Sequence, residues 1–252
     1  RIIARLLGVP EEMAPDLLGW SNAMVGMYMA GRTRAMEDRA VAATEAFVAF
    51  LRSYVEERRA RPADDLITQL IAAEMEGEKL STDELITTCI LLLNAGHEAT
   101  VHTIGNGVKA LLETRTPLST LAPDRVEATV EEILRYDPAL HMFTRHAYEE
   151  VEVMGHTFQR GDQVGLLLAA ANRDPGTWDS PDHFDPTRPV KPHAAFGAGL
   201  HFCVGAPLAR LELQIALPIL FQHRPNLRLA SPPAYNDVYH FHGLRALLVQ
   251  GD

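Results

Sequence analysis

Cysteine is nearly absent from this chain of 252 residues; only Cys89 and Cys203 occur, in unrelated settings. That excludes a disulfide framework and points to a reducing, cytoplasmic compartment. It also excludes a thiolate-rich zinc site, because neither cysteine has a second one nearby. A basic surplus is missing too. The formal charge is -10, which argues against nucleic acid as the main partner. No hydrophobic run is long enough to cross a bilayer: the stretch from Leu85 to Ala95 is too short and holds Thr87, Thr88 and Asn94. Signal peptide, internal repeat, low-complexity tract and linker are all lacking. What is present is 47% hydrophobic content, enough for one large domain or two small ones.

Apolar periodicity predicts mostly helix. Arg1 to Leu7 forms a first short helix, stopped by Gly8-Val9-Pro10. A second runs from about Glu12 to Tyr28 with Met13, Leu17, Trp20 and Met24 on one face. A third covers Met36 to Tyr54, its end Glu56-Glu57-Arg58-Arg59 reading as a solvated face. Asp64 to Met75 is a fourth, closed by a turn around Gly77. Ser81-Thr82-Asp83-Glu84 is a capping box opening the longest helix, through about Glu113 and ~45 Å long. The all-apolar turns at Ile90 to Leu93 imply burial of that helix. Inside it, Gly96 costs about 1 kcal/mol against alanine and asks for a reason, such as close approach of a flat cofactor or a local opening. Glu98 reads as a buried carboxylate with a task or a salt bridge, and His97 as a hydrogen-bonded histidine rather than a catalyst. Pro123 to Tyr136 is a further helix, in which Glu132 and Arg135 share one face. From Met142 to Ala170 the period shortens to strands with turns at Gly155 and Gly161. Asp174 to Pro192, with five prolines, reads as an irregular meander. Leu227 to Leu229 and Ala246 to Val249 read as edge strands.

The chain is organised around Phe196-Gly197-Ala198-Gly199-Leu200-His201-Phe202-Cys203-Val204-Gly205. Gly197, Gly199 and Gly205 remove Cβ atoms where backbone turns sharply or approaches something flat. Pro207 fits the first turn of a following helix, with Leu208, Leu211, Ile215 and Leu220 expected on one face. A cysteine in front of a helix start is placed where amides favour a thiolate. A fixed thiolate is a metal ligand or a nucleophile. Without a second cysteine, it suits a metal that brings its own equatorial ligands.

This stretch resembles the haem-binding signature of the cytochrome P-450 (haem-thiolate monooxygenase) family, F-G-x-G-x-H-x-C-x-G. Glu132-Ile133-Leu134-Arg135 matches the family's E-x-x-R, 71 residues before Cys203, and Thr144-Arg145-His146-Ala147 and Phe184-Asp185-Pro186-Thr187-Arg188 continue the pattern. The resemblance implies the C-terminal part of that fold, mainly α with a minor β portion. Residues 1 to 252 would be a partial haem-thiolate domain of the soluble bacterial style; the N-terminal part, where any membrane anchor would lie, is expected to be missing. It implies haem b with Cys203 as axial ligand and Phe196, Gly197, Gly199, Gly205, Ala95 and Gly96 around the cofactor. Arg145 and His201 would meet its propionates. Glu132, Arg135 and Arg188 would form a buried charge network shaping the cysteine loop. Ala95, Leu140 and Phe143 would face an apolar small-molecule substrate, and a ferredoxin or flavoprotein would supply electrons. The helices up to Tyr54 would form a lid over the substrate pocket that Met24, Met27 and Met29 help line, the alternative being that these methionines are ordinary core. One departure stands out. The family places threonine directly after the acid of the long helix, whereas here Ala99 follows Glu98 and Thr100 comes one place late. Glu98 and Thr100 are the proton-relay candidates, and the departure leaves room for a peroxide-using or other non-standard oxidation. A truncated, non-catalytic remnant is the rival reading.

Overall fold

A capping box starts the longest element as the sequence requires. Ser81 N donates to Glu84 Oε2 at 2.7 Å and Glu84 N to Ser81 Oγ at 3.3 Å, satisfying two amides with no intrahelical partner. In the computed structural model, which describes residues 1–29, 31–75, 80–238 and 241–251 (74 and 75 in backbone only), the helix then runs unbroken over Thr82–Glu113. The described residues contain α1 (Ile2–Leu7), α2 (Ala14–Val25), α3 (Arg34–Ala60), α4 (Leu66–Met75), this long α5, α6 (Val126–Tyr136), α7 (Leu168–Ala171) and α8 (Ala206–His223). Short 3-10 turns flank α2 on both sides, so the single helix expected from Glu12 to Tyr28 is divided. The turn expected at Gly77 lies outside the described residues.

The chain forms two compact units, Arg1–Glu98 and Ala99–Asp252. The first is all-helical. Its core joins Leu7, Leu17, Phe47, Leu51, Ile67, Leu85, Ile86 and Cys89, with Met13, Trp20 and Met24 packed against it; for Met24 this is the core reading of the two the sequence offered. Burial pushes the Cys89 thiol up to about 11. Gly8 ends α1 with φ 83°, a left-handed cap that costs glycine nothing. Arg58 corrects its reading as solvated: its Nε donates to Asp65 Oδ2 at 2.6 Å and its Nη2 to the Gly8 carbonyl at 2.9 Å. A charge run near a helix end turned inward because Asp65 and an open carbonyl were there to meet it. The all-apolar turn of α5 is likewise only half buried, since Ile90 and Leu93 are inside while Leu91 is 62% exposed.

The second unit is built on α6 and α8. Val130, Ile133 and Leu134 of α6 pack with Leu213, Leu217 and Phe221 of α8. Pro123 does not open α6; a 3-10 turn over Leu118–Leu121 comes first and the helix begins at Val126. The expected face of α8 is also corrected. Leu211 and Ile215 are each 51% exposed, and the buried face is Ala206, Leu213, Leu217 and Phe221. Four two-stranded antiparallel ladders complete the unit. β1 (Met142–His146) pairs with β4 (Gln163–Leu167), setting Arg145 opposite Val164. β2 (Val151–Val153) pairs with β3 (His156–Phe158), β5 (Arg228–Leu229) with β8 (Val249–Gln250), and β6 (Ala234–Tyr235) with β7 (Leu244–Ala246). Residues 174–192 carry no regular element, as their prolines dictate.

Candidate functional site

Backbone conformation alone shapes the cysteine loop. A 3-10 turn over Ala194–Phe196 delivers the chain to Gly197 at φ 70°, ψ −161°, a combination closed to residues bearing a Cβ. Gly199 at φ 68° opens a second turn through His201. Cys203 N then donates to the Phe196 carbonyl at 3.0 Å, and Ala206 N to the Cys203 carbonyl at 3.2 Å as α8 begins. The Cys203 thiol is left exposed. Leu200, Phe202 and Val204 beside it stand 96%, 49% and 84% in solvent, an apolar surface flanking a sulfur. Gly205 differs from the other two glycines: its φ is −82°, and an added Cβ would only touch the Cys203 sulfur at 3.8 Å.

Two carboxylates of α6 anchor the segments that carry this loop. Glu132 takes a bidentate pair from Arg135, Nε to Oε2 at 2.7 Å and Nη2 to Oε1 at 2.8 Å, both side chains nearly sealed from solvent. Arg135 also donates to the carbonyls of Asn172, Pro181 and His183, and Asp185 N donates to Glu132 Oε1. Arg188 comes within 3.4 Å of Glu132, though its Nε lacks hydrogen-bonding geometry there; its other nitrogens donate to Asp179, Ser180 and His183 carbonyls. The E-x-x-R pair thus pins the irregular meander that leads into the loop.

A second network escaped the sequence reading. Glu131 accepts from Arg210 Nε and Nη2 at 2.6 and 2.9 Å and pairs with His193 Nε2 at 3.1 Å. The Arg210 guanidinium lies 4.7 Å over the Phe196 ring, and Cys203 contributes to its raised pKa after Glu131 and against burial. Burial alone would raise the Glu131 carboxyl; the Arg210 and His193 bonds outweigh it and bring it down to about 2. The only sequence signal was an arginine one helical turn into α8, a commonplace position.

The α5 candidates sit as follows. Gly96 approaches α1, since a Cβ there would lie 2.7 Å from Cδ1 at the flexible end of Ile3. Ala95 is exposed. His97 is hydrogen-bonded as expected, Nδ1 3.3 Å from Ser21 Oγ and Nε2 3.2 Å from Asn22 Oδ1. Glu98 is not sealed off: its side chain is 24% exposed, 3.2 Å from His97 Nε2. Thr100 bonds through its side chain to Glu212 of α8, a carboxyl whose pKa burial raises. Helix α5 shows no irregularity at Gly96 that would turn Thr100 into the place of Ala99.

In β1, Arg145 is exposed and its guanidinium donates to the neighbouring Thr144 carbonyl, beside the Phe143 ring. His201 is also exposed. Among the described residues neither meets a carboxylate. Leu140 forms an isolated bridge with Phe241, and Phe143 is 37% exposed. An exposed thiol with an apolar surface beside it, and two exposed basic side chains, are the kinds of group that a thiolate-ligated haem with its propionates requires. The residues fit that group.

The family model described as Cytochrome P450 matches residues 125–225. The biotin biosynthesis cytochrome P450 of Bacillus subtilis is 40% identical over 252 residues, covering 98% of this chain and 63% of the relative. Among solved structures, P450BioI in complex with an acyl carrier protein ligated to hexadec-9Z-enoic acid is 38% identical, with a TM-score of 0.93 over 100% of this chain and 65% of that one. CYP109E1 from Bacillus megaterium in complex with testosterone is 30% identical, with a TM-score of 0.89 over 100% of this chain and 69% of its own. The chain therefore spans about two thirds of the length of the proteins it matches.

Proposed function

The chain belongs to the cytochrome P450 family, and on that premise we propose that it is the haem-ligating part of a monooxygenase. The whole protein inserts one oxygen atom from dioxygen into an apolar small molecule, with electrons from a ferredoxin or flavoprotein. The observation that carries this is the loop geometry at Cys203: a backbone closed by Cys203 N to Phe196 O, with the thiol exposed ahead of α8. When bound, the haem would supply dioxygen activation, which a thiolate ligand such as Cys203 promotes by electron donation. The chain's own residues hold and orient. Cys203 offers the sulfur, Phe196 packs behind the loop, and Arg145 and His201 pair with propionates. Glu132, Arg135 and Arg188 fix the meander. The relatives crystallised with a fatty acyl chain and with testosterone support an apolar substrate, of which Leu140 and Phe143 are the facing candidates.

Glu98, about a quarter exposed, is the carboxylate that would hold a proton for the reaction. Ala99 offers no hydroxyl, and the bond between Thr100 and Glu212 turns the nearest one elsewhere. That observation favours a second reading, in which a substrate hydroxyl, an ordered water or peroxide replaces the alcohol. The test of the leading reading is the carbon monoxide difference spectrum of the reduced, haem-loaded protein. Cys203→Ala abolishes the thiolate-type Soret band, while Cys89→Ala, in a buried helical run, leaves it. A thiolate band surviving in Cys203→Ala overturns the assignment.

A further inference from the structure

Three segments of the second unit converge at the C-terminal end of α6. Asp137 ends α6 and is buried. His141 precedes β1, and His242 precedes β7. Backbone pairing sets the two histidines side by side: Leu140 bridges Phe241, and His242 N donates to the Ala139 carbonyl at 2.7 Å. Asn106 of α5 fastens the same place, its Nδ2 donating to the carbonyls of Asp137 and His242 at 3.2 and 3.0 Å. The His141 and His242 rings stack at 3.8 Å, and Tyr235 stacks on the other face of His242 at 3.9 Å. His242 Nε2 lies 3.2 Å from Asp137 Oδ1, and the Tyr235 hydroxyl donates to Asp137 Oδ2. Among the described residues this is the one group of three His, Cys, Asp or Glu side chains whose ligand atoms come within 4.8 Å of one another.

We propose that Asp137, His141 and His242 bind one borderline divalent cation of the zinc class. Two imidazoles and one carboxylate suit such a metal, with water completing a tetrahedron, whereas magnesium and calcium ask for more oxygen ligands. Bonds of about 2.0 to 2.1 Å place tetrahedral ligand atoms roughly 3.3 Å apart, and the Asp137–His242 pair already stands at 3.2 Å. His141 closes the remainder by turning out of the ring stack, and among the described residues its ring nitrogens have no hydrogen-bond partner to give up. Tyr235 on the far carboxylate oxygen is the outer bond that fixes a metal-binding carboxylate. The site opens on a recess of about 410 Å³ that Lys109 and Arg173 also line. Both cations are already matched, Lys109 by Glu113 and Arg173 by Asp182, each at 2.7 Å, so they do not bar a second positive charge.

The experiment is zinc binding by the full chain after chelator dialysis, read by metal analysis and by the thermal midpoint with and without zinc ions. Wild type holds one zinc per chain and melts higher with it. His141→Ala and His242→Ala weaken binding at least tenfold and lose the midpoint shift, while Cys203→Ala keeps both. Because among the described residues the His141 ring makes no hydrogen bond, its variant decides the matter if His242→Ala fails to fold. Zinc absent from wild type, retained by His141→Ala, or lost in Cys203→Ala would each overturn the site.

Discussion

Single residues decide how the proposed chemistry is supplied with protons. Ala99 stands where the family pattern places a hydroxyl, and Thr100, on a regular helix, spends its own on Glu212. In the haem-loaded whole protein, Thr100→Ala therefore changes the ratio of product to reductant consumed by less than tenfold, under about 1.4 kcal/mol of transition-state effect. Glu98→Gln does more damage, because the carboxylate is the remaining proton carrier. Coupling efficiency with the native substrate compares the two; Thr100→Ala proving the worse would return the alcohol role to Thr100. At this scale the sequence was legible where a residue type has one use. Cys203 between glycines and a helix start could be read, and so could the Ser81–Glu84 box. It was illegible where a residue's partner comes from a distant segment: nothing in the sequence pairs Gly96 with Ile3, or Arg58 with the Gly8 carbonyl. Glu131 with Arg210 is a third such pair.

Whole elements were read by period, and the period misled once in an instructive way. Helix α8 carries apolar side chains on two faces, and spacing favours either. Tertiary packing chose Leu213, Leu217 and Phe221, leaving Leu211, Ile215 and Ile219 about half exposed. Leu213→Ala accordingly costs about 2–5 kcal/mol by cavity formation. Leu211→Ala stays within about 1 kcal/mol, the scale of a surface change. Urea unfolding of the two variants ranks them, and the reverse order would restore the face read from sequence. The β-ladders were legible because valines alternate and Gly155 and Gly161 fix the turns. Helix starts were not: the chain before α6 takes a 3-10 turn that Pro123 does not announce, since proline marks a permitted first turn and not an obligatory one.

At the scale of the molecule, the stability of the second unit depends on acid. The Glu131 carboxyl is depressed to about 2 in the folded state against an ordinary value near 4.3, so its contribution is complete above the ordinary value. It disappears as pH falls through the window toward about 2. The full shift is worth about 3 kcal/mol, and partial exposure of Arg210 reduces it to roughly 2 kcal/mol. Chemical denaturation followed from pH 6 to 3 shows this loss, and Glu131→Gln flattens the profile; a profile unchanged in that variant removes Glu131 as the cause. Family membership was legible from ten residues around Cys203 and four in α6, because a thiolate loop and its anchoring ion pair tolerate few alternatives. The Asn106 amide has a different consequence, one of timing. Its partners at Asp137 and His242 lie 31 and 136 positions along the chain. During synthesis α5 and α6 emerge long before His242 exists, so this junction closes only after the intervening strands and α8 have been made. Contacts of such separation are slow to form, and the Asn106 junction acts as a clasp fastened after the segments between its two sides have been laid down.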